Sequence, residues 1–218
     1  MLCLNGGHAA SWSSVSDTEQ GAVPLLPEDD GSLTIFRLPR AYWHCQLGNF
    51  MWEWVRPASL QEHYMRFLGG IEAGLAPHLI LSGDTGIGKT HLGVAAYRWA
   101  VRRVGTELAT WVNVPEFCTS VKAAYTDENG HGPFEDYAAA RRFVVLDDLL
   151  GRDLTLHEAS QIVYRLLDVA YQNGAAVLIT MNPAVTELVA RFPPHEVSRI
   201  LAAATIIPMQ GSGDRRRP

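Results

Sequence analysis

The feature that most constrains the fold is a glycine-rich segment at residues 83–90, which reads Gly-Asp-Thr-Gly-Ile-Gly-Lys-Thr. It has the spacing G-x-x-x-x-G-K-[ST], in which a strand ends, the chain turns at glycines and a helix begins. A short apolar stretch, residues 78–82, precedes the segment, and an amphipathic stretch over residues 88–104 follows it. The sequence therefore predicts a strand–loop–helix unit over residues 78–104.

The residue types in this segment suit the binding of a nucleoside triphosphate. Glycines at 83, 86 and 88 allow the backbone to curl until its N–H groups face phosphate oxygens, and the helix N-terminus adds a positive dipole end. The Lys89 ammonium can neutralise the β- and γ-phosphates, and the Thr90 hydroxyl can bind Mg²⁺. We therefore predict nucleotide contacts from the whole segment: Gly83, Asp84, Thr85, Gly86, Ile87, Gly88, Lys89 and Thr90.

The rest of the chain alternates between continuous apolar runs and amphipathic stretches, as in an α/β protein. Strands are predicted at residues 78–82, 110–114, 143–147, 176–181 and 205–209. Helices are predicted at residues 59–73, 88–104, 115–125 and 134–141, from 155, after 183, and at 197–203. Because continuous apolar strands are typical of parallel sheets, we predict a parallel sheet covered by helices on both faces.

Polar side chains follow two of the predicted strands. Asp147 ends an apolar run and can hold Mg²⁺ through water, and Asp148 can polarise an attacking water, although glutamate is the more usual residue in that role. Asn182 follows the next strand and can orient water against a γ-phosphate, with Thr180 as the second candidate. Asn182 can instead serve only as the N-cap of the helix at 183.

Two arginines late in the chain are further candidates. Arg199 lies on a predicted short helix, where an arginine finger can complete a neighbouring subunit's ATP site, or where it is a surface residue. Arg215 begins a run of three arginines that can sense the γ-phosphate, contact DNA or form a solvated tail.

Composition excludes several classes of protein. The formal net charge is −5, so no overall cationic field favours nucleic acid or an anionic membrane. Three widely separated cysteines, with no Cys/His ligand spacing, argue against a disulfide framework or a structural zinc site. No apolar run reaches the length of a membrane span, and we expect a cytoplasmic protein without a membrane partner.

Three regions are predicted along the chain. Residues 1–34 form a poorly ordered tail with scattered apolar residues, which is either incidental or a segment that docks on a partner. Residues 35–210 form the core, and residues 211–218 form a basic tail.

Together these motifs resemble the AAA+ ATPases of the DnaC/IstB-like group over about residues 45–215. The similar segments are Gly-Asp-Thr-Gly-Ile-Gly-Lys-Thr-His-Leu at 83–92, Leu-Asp-Asp-Leu at 146–149, Ile-Thr-Met-Asn at 179–182, Ser-Arg-Ile-Leu at 198–201 and Gly-Ser-Gly-Asp-Arg at 211–215. The resemblance implies a P-loop AAA+ core with a five-stranded parallel sheet. Many AAA+ proteins carry a helical lid after this core, but we expect no C-terminal helical lid here, because the sequence leaves no room for one after the last predicted strand. It also adds His91 to the predicted nucleotide-binding residues.

The resemblance further implies an ATP-dependent homo-oligomer that acts on single-stranded or duplex DNA. We expect a Mg²⁺-dependent ATPase, slow when unassembled, that works as a DnaC-like loader of a replicative helicase. The alternative is an IstB-like helper of a transposase. A small-molecule kinase and an ATP-gated binding module with negligible turnover also share the phosphate loop, but the Asp147–Asp148 pair, Asn182 and Arg199 favour an ATPase.

Overall fold

The computed structural model describes residues 38–105, 108–125, 141–151, 156–182, 186–187, 190, 198, 201 and 204–211. The strands are β1 (Val55–Arg56), β2 (His78–Gly83), β3 (Ala109–Asn113), β4 (Phe143–Leu149), β5 (Ala176–Met181) and β6 (Ala204–Gly211). The helices are α1 (Leu60–Glu72), α2 (Lys89–Val104), α3 (Val114–Tyr125) and α4 (Leu156–Gln172). Three 3₁₀-helices, Arg40–Tyr42, Leu47–Asn49 and Trp52–Trp54, precede β1.

The strands form one sheet in the order β1-β6-β2-β5-β4-β3. The five longer strands are parallel, which confirms the predicted parallel sheet. The predicted strand count was wrong, because β1 adds a sixth, antiparallel strand through the pairs Val55–Gly211 and Arg56–Gln210. A strand of two residues cannot show an alternating pattern, and so no local pattern indicated β1.

Helices cover both faces of the sheet, as predicted. Side chains alternate along each strand, so that Leu79 and Leu81 of β2 face one apolar cluster while Ile80 faces the other. The first cluster is completed by α1, α2 and the 3₁₀ segment, and the second by α3 and α4. None of the described helices is long and apolar enough to cross a membrane.

The predicted boundaries agree with the structure to within one or two residues in the described regions. Among β2 to β5, the largest difference is at the end of β4, which continues to Leu149 instead of ending at Asp147. The strand predicted at 110–114 begins and ends one residue earlier, because Val114 already starts α3. Several predictions lie outside the described residues. They are the tail at 1–34, the tail at 211–218 apart from Gly211, residue 155 at the start of the helix that became α4, and most of the helices at 134–141, after 183 and at 197–203.

An aromatic segment, residues 40–54, packs across the start of α2. Its three 3₁₀-helices bring the Phe50 ring to 5.3 Å from the His91 ring and the Trp52 ring to 5.6 Å from the Tyr64 ring, measured between centroids. Tyr64 in turn donates a buried hydrogen bond of 2.6 Å to the Leu92 carbonyl of α2. These contacts fix the aromatic segment against the helix that follows the glycine-rich loop.

Candidate active site

The glycine-rich loop joins the carboxyl end of β2 to the first turn of α2, and two of its glycines have no space for a side chain. Gly83 has φ 140°, and a Cβ there would lie 2.1 Å from the Met209 carbonyl oxygen of β6. Gly88 has φ 101°, and a Cβ there would lie 2.7 Å from the Phe50 ring. Backbone conformation and crowding therefore both require glycine at these positions.

Lys89 lies inside the curl of the loop and is only 6% exposed. Its ammonium donates hydrogen bonds to the carbonyl oxygens of Gly83, at 2.8 Å, and of Asp84, at 2.5 Å. An ammonium in this position can exchange a carbonyl for the oxygen of a phosphate held by the loop. The side chains of Asp84 and Thr85 are exposed, whereas Ile87 is buried beneath the loop.

Asp147 is a buried carboxylate, 2% exposed, at the end of β4. Its pKa is raised to about 6, mainly by burial and also by the neighbouring Asp148 charge. Hydrogen bonds from Thr180 and Thr90 and the Lys89 charge act in the opposite direction. The donor set consists of hard oxygen atoms, a carboxylate and the Thr90 hydroxyl, which is the type that Mg²⁺ prefers. These two residues therefore fit the predicted metal site.

Asp148 lies in an irregularity of the sheet. The register between β4 and β5 shifts between the pairs Leu146–Ile179 and Leu149–Met181, so β4 has one residue more than β5 in this interval. Asp148 has φ 58°, which is uncommon for a residue other than glycine. Such bulges re-aim side chains at the end of a strand, and here the Asp148 carboxylate lies within hydrogen-bond distance of Asn182.

Thr180 of β5 connects both acids. Its hydroxyl donates a 2.6 Å hydrogen bond to Asp147 Oδ1 and accepts one of 3.0 Å from the Asp148 backbone N–H. Thr180 was predicted as the second candidate for orienting water. Its side chain is only 1% exposed, and its hydroxyl is hydrogen-bonded to Asp147 and to the Asp148 backbone. Thr180 is therefore a positioning residue, whose role could be read only from the register of β4 against β5.

Asn182 lies just beyond β5 and is exposed. Its Nδ2 donates a 3.0 Å hydrogen bond to Asp148 Oδ1, so that the amide and the carboxylate lie side by side at the carboxyl edge of the sheet. This places the predicted water-orienting residue and the predicted base together. Its capping role involves residue 183, which lies outside the described residues.

Of the three other predicted residues, His91 is the one that lies within the described residues. The His91 ring lies against Phe50, with Nε2 2.9 Å from the Gln46 carbonyl oxygen, so the side chain packs on the aromatic segment. Arg199 and Arg215 lie outside the described residues and stay predictions.

A groove that was not predicted from the sequence lies beside the loop. It is open, about 480 Å³ in volume, and lined by Glu53, Trp54, Arg56, Gln210 and Gly211. It adjoins the loop, because a Cβ on Gly211 would lie 2.9 Å from the Ile87 side chain. Trp54 is 51% exposed, and an indole face is a surface on which a nucleobase can stack. Only the pairing of β1 with β6 creates this groove, so no local pattern could reveal it.

Comparison with known proteins agrees with this geometry. The family model described as IstB-like ATP binding protein matches residues 65–216, well over half of the chain. No curated protein matches the chain by sequence.

Solved structures share the fold at low identity. The DnaC helicase loader is 19% identical with a TM-score of 0.63, over 79% of this chain and 100% of that chain. DnaI is 20% identical with a TM-score of 0.64, over 79% and 95%. AMPPCP-bound DnaA from Aquifex aeolicus is 17% identical with a TM-score of 0.62, over 79% and 52%. At these identities the similarity shows a common fold.

Burial of Asp147 predicts an unusual dependence of stability on pH in the metal-free protein. The folded-state pKa, about 6, lies above the ordinary value of 3.8, so the folded protein binds this proton more tightly than the unfolded chain. The contribution of Asp147 to stability is therefore greatest below about pH 4 and falls by up to about 3 kcal/mol as the pH rises to 6. Asp147→Asn should be more stable than the parent at pH 7.5, with an advantage that shrinks toward pH 4 in urea unfolding.

Addition of Mg²⁺ and ATP should reverse this order. A ligand that binds only the folded state raises its stability, and the variant lacks the carboxylate that fits Mg²⁺. If Asp147→Asn were less stable than the parent at pH 7.5 without metal, the buried charge would not be a cost in this fold.

Proposed function

This chain belongs to the IstB-like ATP-binding protein family, and we propose that it hydrolyses ATP in a Mg²⁺-dependent reaction. The observation that carries the proposal is the arrangement at the end of β4. One carboxylate, Asp147, is buried beside Thr90 and Lys89, and a second, Asp148, turns out of the strand toward Asn182. A protein that only bound ATP would require the first carboxylate but not the second.

Each residue has a distinct role in the proposed reaction. The loop N–H groups and the Lys89 ammonium bind the β- and γ-phosphates, and Thr90 and Asp147 would hold Mg²⁺. When bound, Mg²⁺ neutralises charge that builds up on the phosphate oxygens. Asp148 and Asn182 orient a water molecule, whose oxygen attacks the γ-phosphorus while the bond to the β–γ bridging oxygen breaks. The products are ADP and inorganic phosphate.

Two variants separate binding from hydrolysis. Lys89→Ala removes the charge directed at the phosphates, and we expect ATP affinity measured by calorimetry to fall at least tenfold, about 1.4 kcal/mol. Asp148→Asn retains the shape and the Oδ1 acceptor used by Asn182, so ATP should bind normally while the rate of phosphate release falls strongly. Glu62→Gln, an exposed acid on α1, is the control for charge alone. Parental hydrolysis by Asp148→Asn would show that another group orients the water.

A further part of the proposal is that Arg199 acts on the neighbouring subunit in an ATP-dependent homo-oligomer. In the group that the sequence resembles, the corresponding helix faces the next subunit's nucleotide. A guanidinium placed there offsets charge on the γ-phosphate and raises turnover by roughly 10³ or more. Turnover per subunit should therefore increase with protein concentration and on addition of DNA.

Mixing two inactive variants tests this role. Arg199→Ala should bind ATP but hydrolyse it slowly, and Lys89→Ala, with its weakened ATP binding, should be inactive at limiting ATP. A mixed assembly can place an intact Arg199 against an intact ATP site, so we expect activity to recover on mixing. If the two variants co-assemble without recovery, Arg199 does not act between subunits.

For the cellular role, we propose that the protein loads a replicative helicase in the manner of a DnaC-like loader. Support comes from the shared fold, which extends over the full DnaC chain and 95% of the DnaI chain. The second candidate, an IstB-like helper of transposition, is favoured by the description of the matching family model. Both roles require ATP-dependent contact with DNA and with one large partner protein.

Capture of that partner distinguishes the two roles. Tagged Asp148→Asn protein should hold ATP and retain its partner, whereas Lys89→Ala is the matched control, used at an ATP concentration that does not saturate its weakened site. We expect a hexameric replicative helicase to be retained by the first variant and not by the second. Retention of a transposase instead would assign the protein to transposition, and loss of the helicase interaction on adding ATP would contradict the loader proposal.

A further inference from the structure

A cluster of metal-binding side chains lies behind the phosphate loop, on the side of the aromatic segment. It consists of His44, Cys45 and His91, whose ligand atoms all lie within 4.8 Å of one another. We propose that these three side chains bind one transition-metal ion, with Zn²⁺ as the best match. The cluster is separate from the Thr90–Asp147 site and does not depend on the proposed ATPase function.

The donor atoms decide the kind of metal. One thiolate sulfur and two imidazole nitrogens suit Zn²⁺ and other late transition metals, whereas Mg²⁺ and Ca²⁺ require oxygen ligands. Three protein ligands leave a fourth position of a tetrahedral ion, which water can occupy. His44 is exposed, so that a metal ion can reach the cluster from solvent.

The spacing is close to that of a filled site. Zinc bonds of about 2.3 Å to sulfur and about 2.0 Å to nitrogen place tetrahedral ligands about 3.3–3.6 Å apart. Cys45 Sγ and His44 Nε2 are already 3.7 Å apart. No two of the three ligand atoms are more than 4.8 Å apart, so the widest pair must close by about 1 Å, a change on the scale that side-chain rotation supplies.

The backbone around the cluster is fixed before any metal binds. Asn49 Nδ2 donates a 2.7 Å hydrogen bond to the His44 carbonyl, and Cys45 is buried, 2% exposed. His91 Nε2 lies 2.9 Å from the Gln46 carbonyl, and since a carbonyl can only accept, Nε2 donates and Nδ1 carries the lone pair of the neutral ring. A ring nitrogen that donates to a backbone carbonyl is the usual companion of a metal-bound histidine.

The cluster lies between two parts of the chain, so a bound metal ion would affect more than its own ligands. His91 is two residues after Lys89 on α2, whereas His44 and Cys45 belong to the aromatic segment. A metal ion would therefore cross-link the aromatic segment to the helix that begins at the phosphate loop. Because such an ion binds the folded state, it should raise the melting temperature.

Zinc and cobalt binding test the proposal on chelator-treated full-length protein without nucleotide. We expect one Zn²⁺ per chain by calorimetry, a higher melting temperature with Zn²⁺, and a thiolate-to-cobalt charge-transfer band when Co²⁺ replaces it. That band requires a coordinated cysteine, so it separates this cluster from Asp147, Asp148 and surface histidines.

Paired variants locate the ion. Cys45→Ser should abolish the cobalt band, and His44→Gln, an exposed substitution that leaves the core intact, should weaken Zn²⁺ binding at least tenfold. Cys118→Ala removes the other buried thiol of the described residues and His63→Gln removes a half-buried imidazole of α1, and both should bind zinc like the parent. Zinc binding by the parent no tighter than by Cys45→Ser, or a cobalt complex without the thiolate band, would overturn the proposal.

Discussion

One hydroxyl group, that of Thr180, determines the geometry of the acidic end of β4. It donates a hydrogen bond to the buried Asp147 carboxylate and accepts one from the Asp148 backbone N–H. Two consecutive acids are therefore held by a single oxygen atom on the neighbouring strand. Hydrogen bonds from Thr180 and Thr90 favour the charged form of Asp147, yet burial outweighs them and the pKa remains raised. A carboxylate that is oriented but insufficiently compensated is prepared for a cation, because a divalent ion supplies the missing positive charge where the hydrogen bonds already direct the oxygen atoms.

The parts of the fold that were predicted correctly are those encoded by neighbouring residues. Continuous apolar runs gave the five parallel strands, and the glycine spacing gave the loop and the start of α2 at Lys89. The missed parts depend on the register between distant residues. β1 exists because Val55 and Arg56 meet the end of β6, and the bridging role of Thr180 exists because β4 gains one residue relative to β5. Neither the pairing nor the extra residue leaves a periodic signal in the chain.

The position of the aromatic segment also depends on contacts between residues that are distant in the chain. Its density of aromatic residues was visible, but its position over α2 was not, because contacts such as Phe50 with His91 join residues about 40 positions apart in the chain. Local Cys/His spacing in the sequence disfavours a zinc site, but such spacing cannot detect the proposed ligand His91, which lies 46 residues beyond Cys45. Phe50 also occupies the space beside Gly88 that a side chain would need, so the segment and the loop restrict each other.

The bulge also accounts for the residue type at position 148. Glutamate is the more usual water-polarising residue, and an aspartate, which is one methylene shorter, reaches less far from the same backbone. Here the backbone of Asp148 is left-handed, with φ 58°, a conformation in which aspartate is tolerated better than longer side chains. Gly151 has no Cβ where one would lie 2.7 Å from Asp148 Oδ2, and Asn182 holds the other oxygen. The position of this carboxylate is therefore set by the left-handed main chain at 148 and by its two neighbours, Gly151 and Asn182.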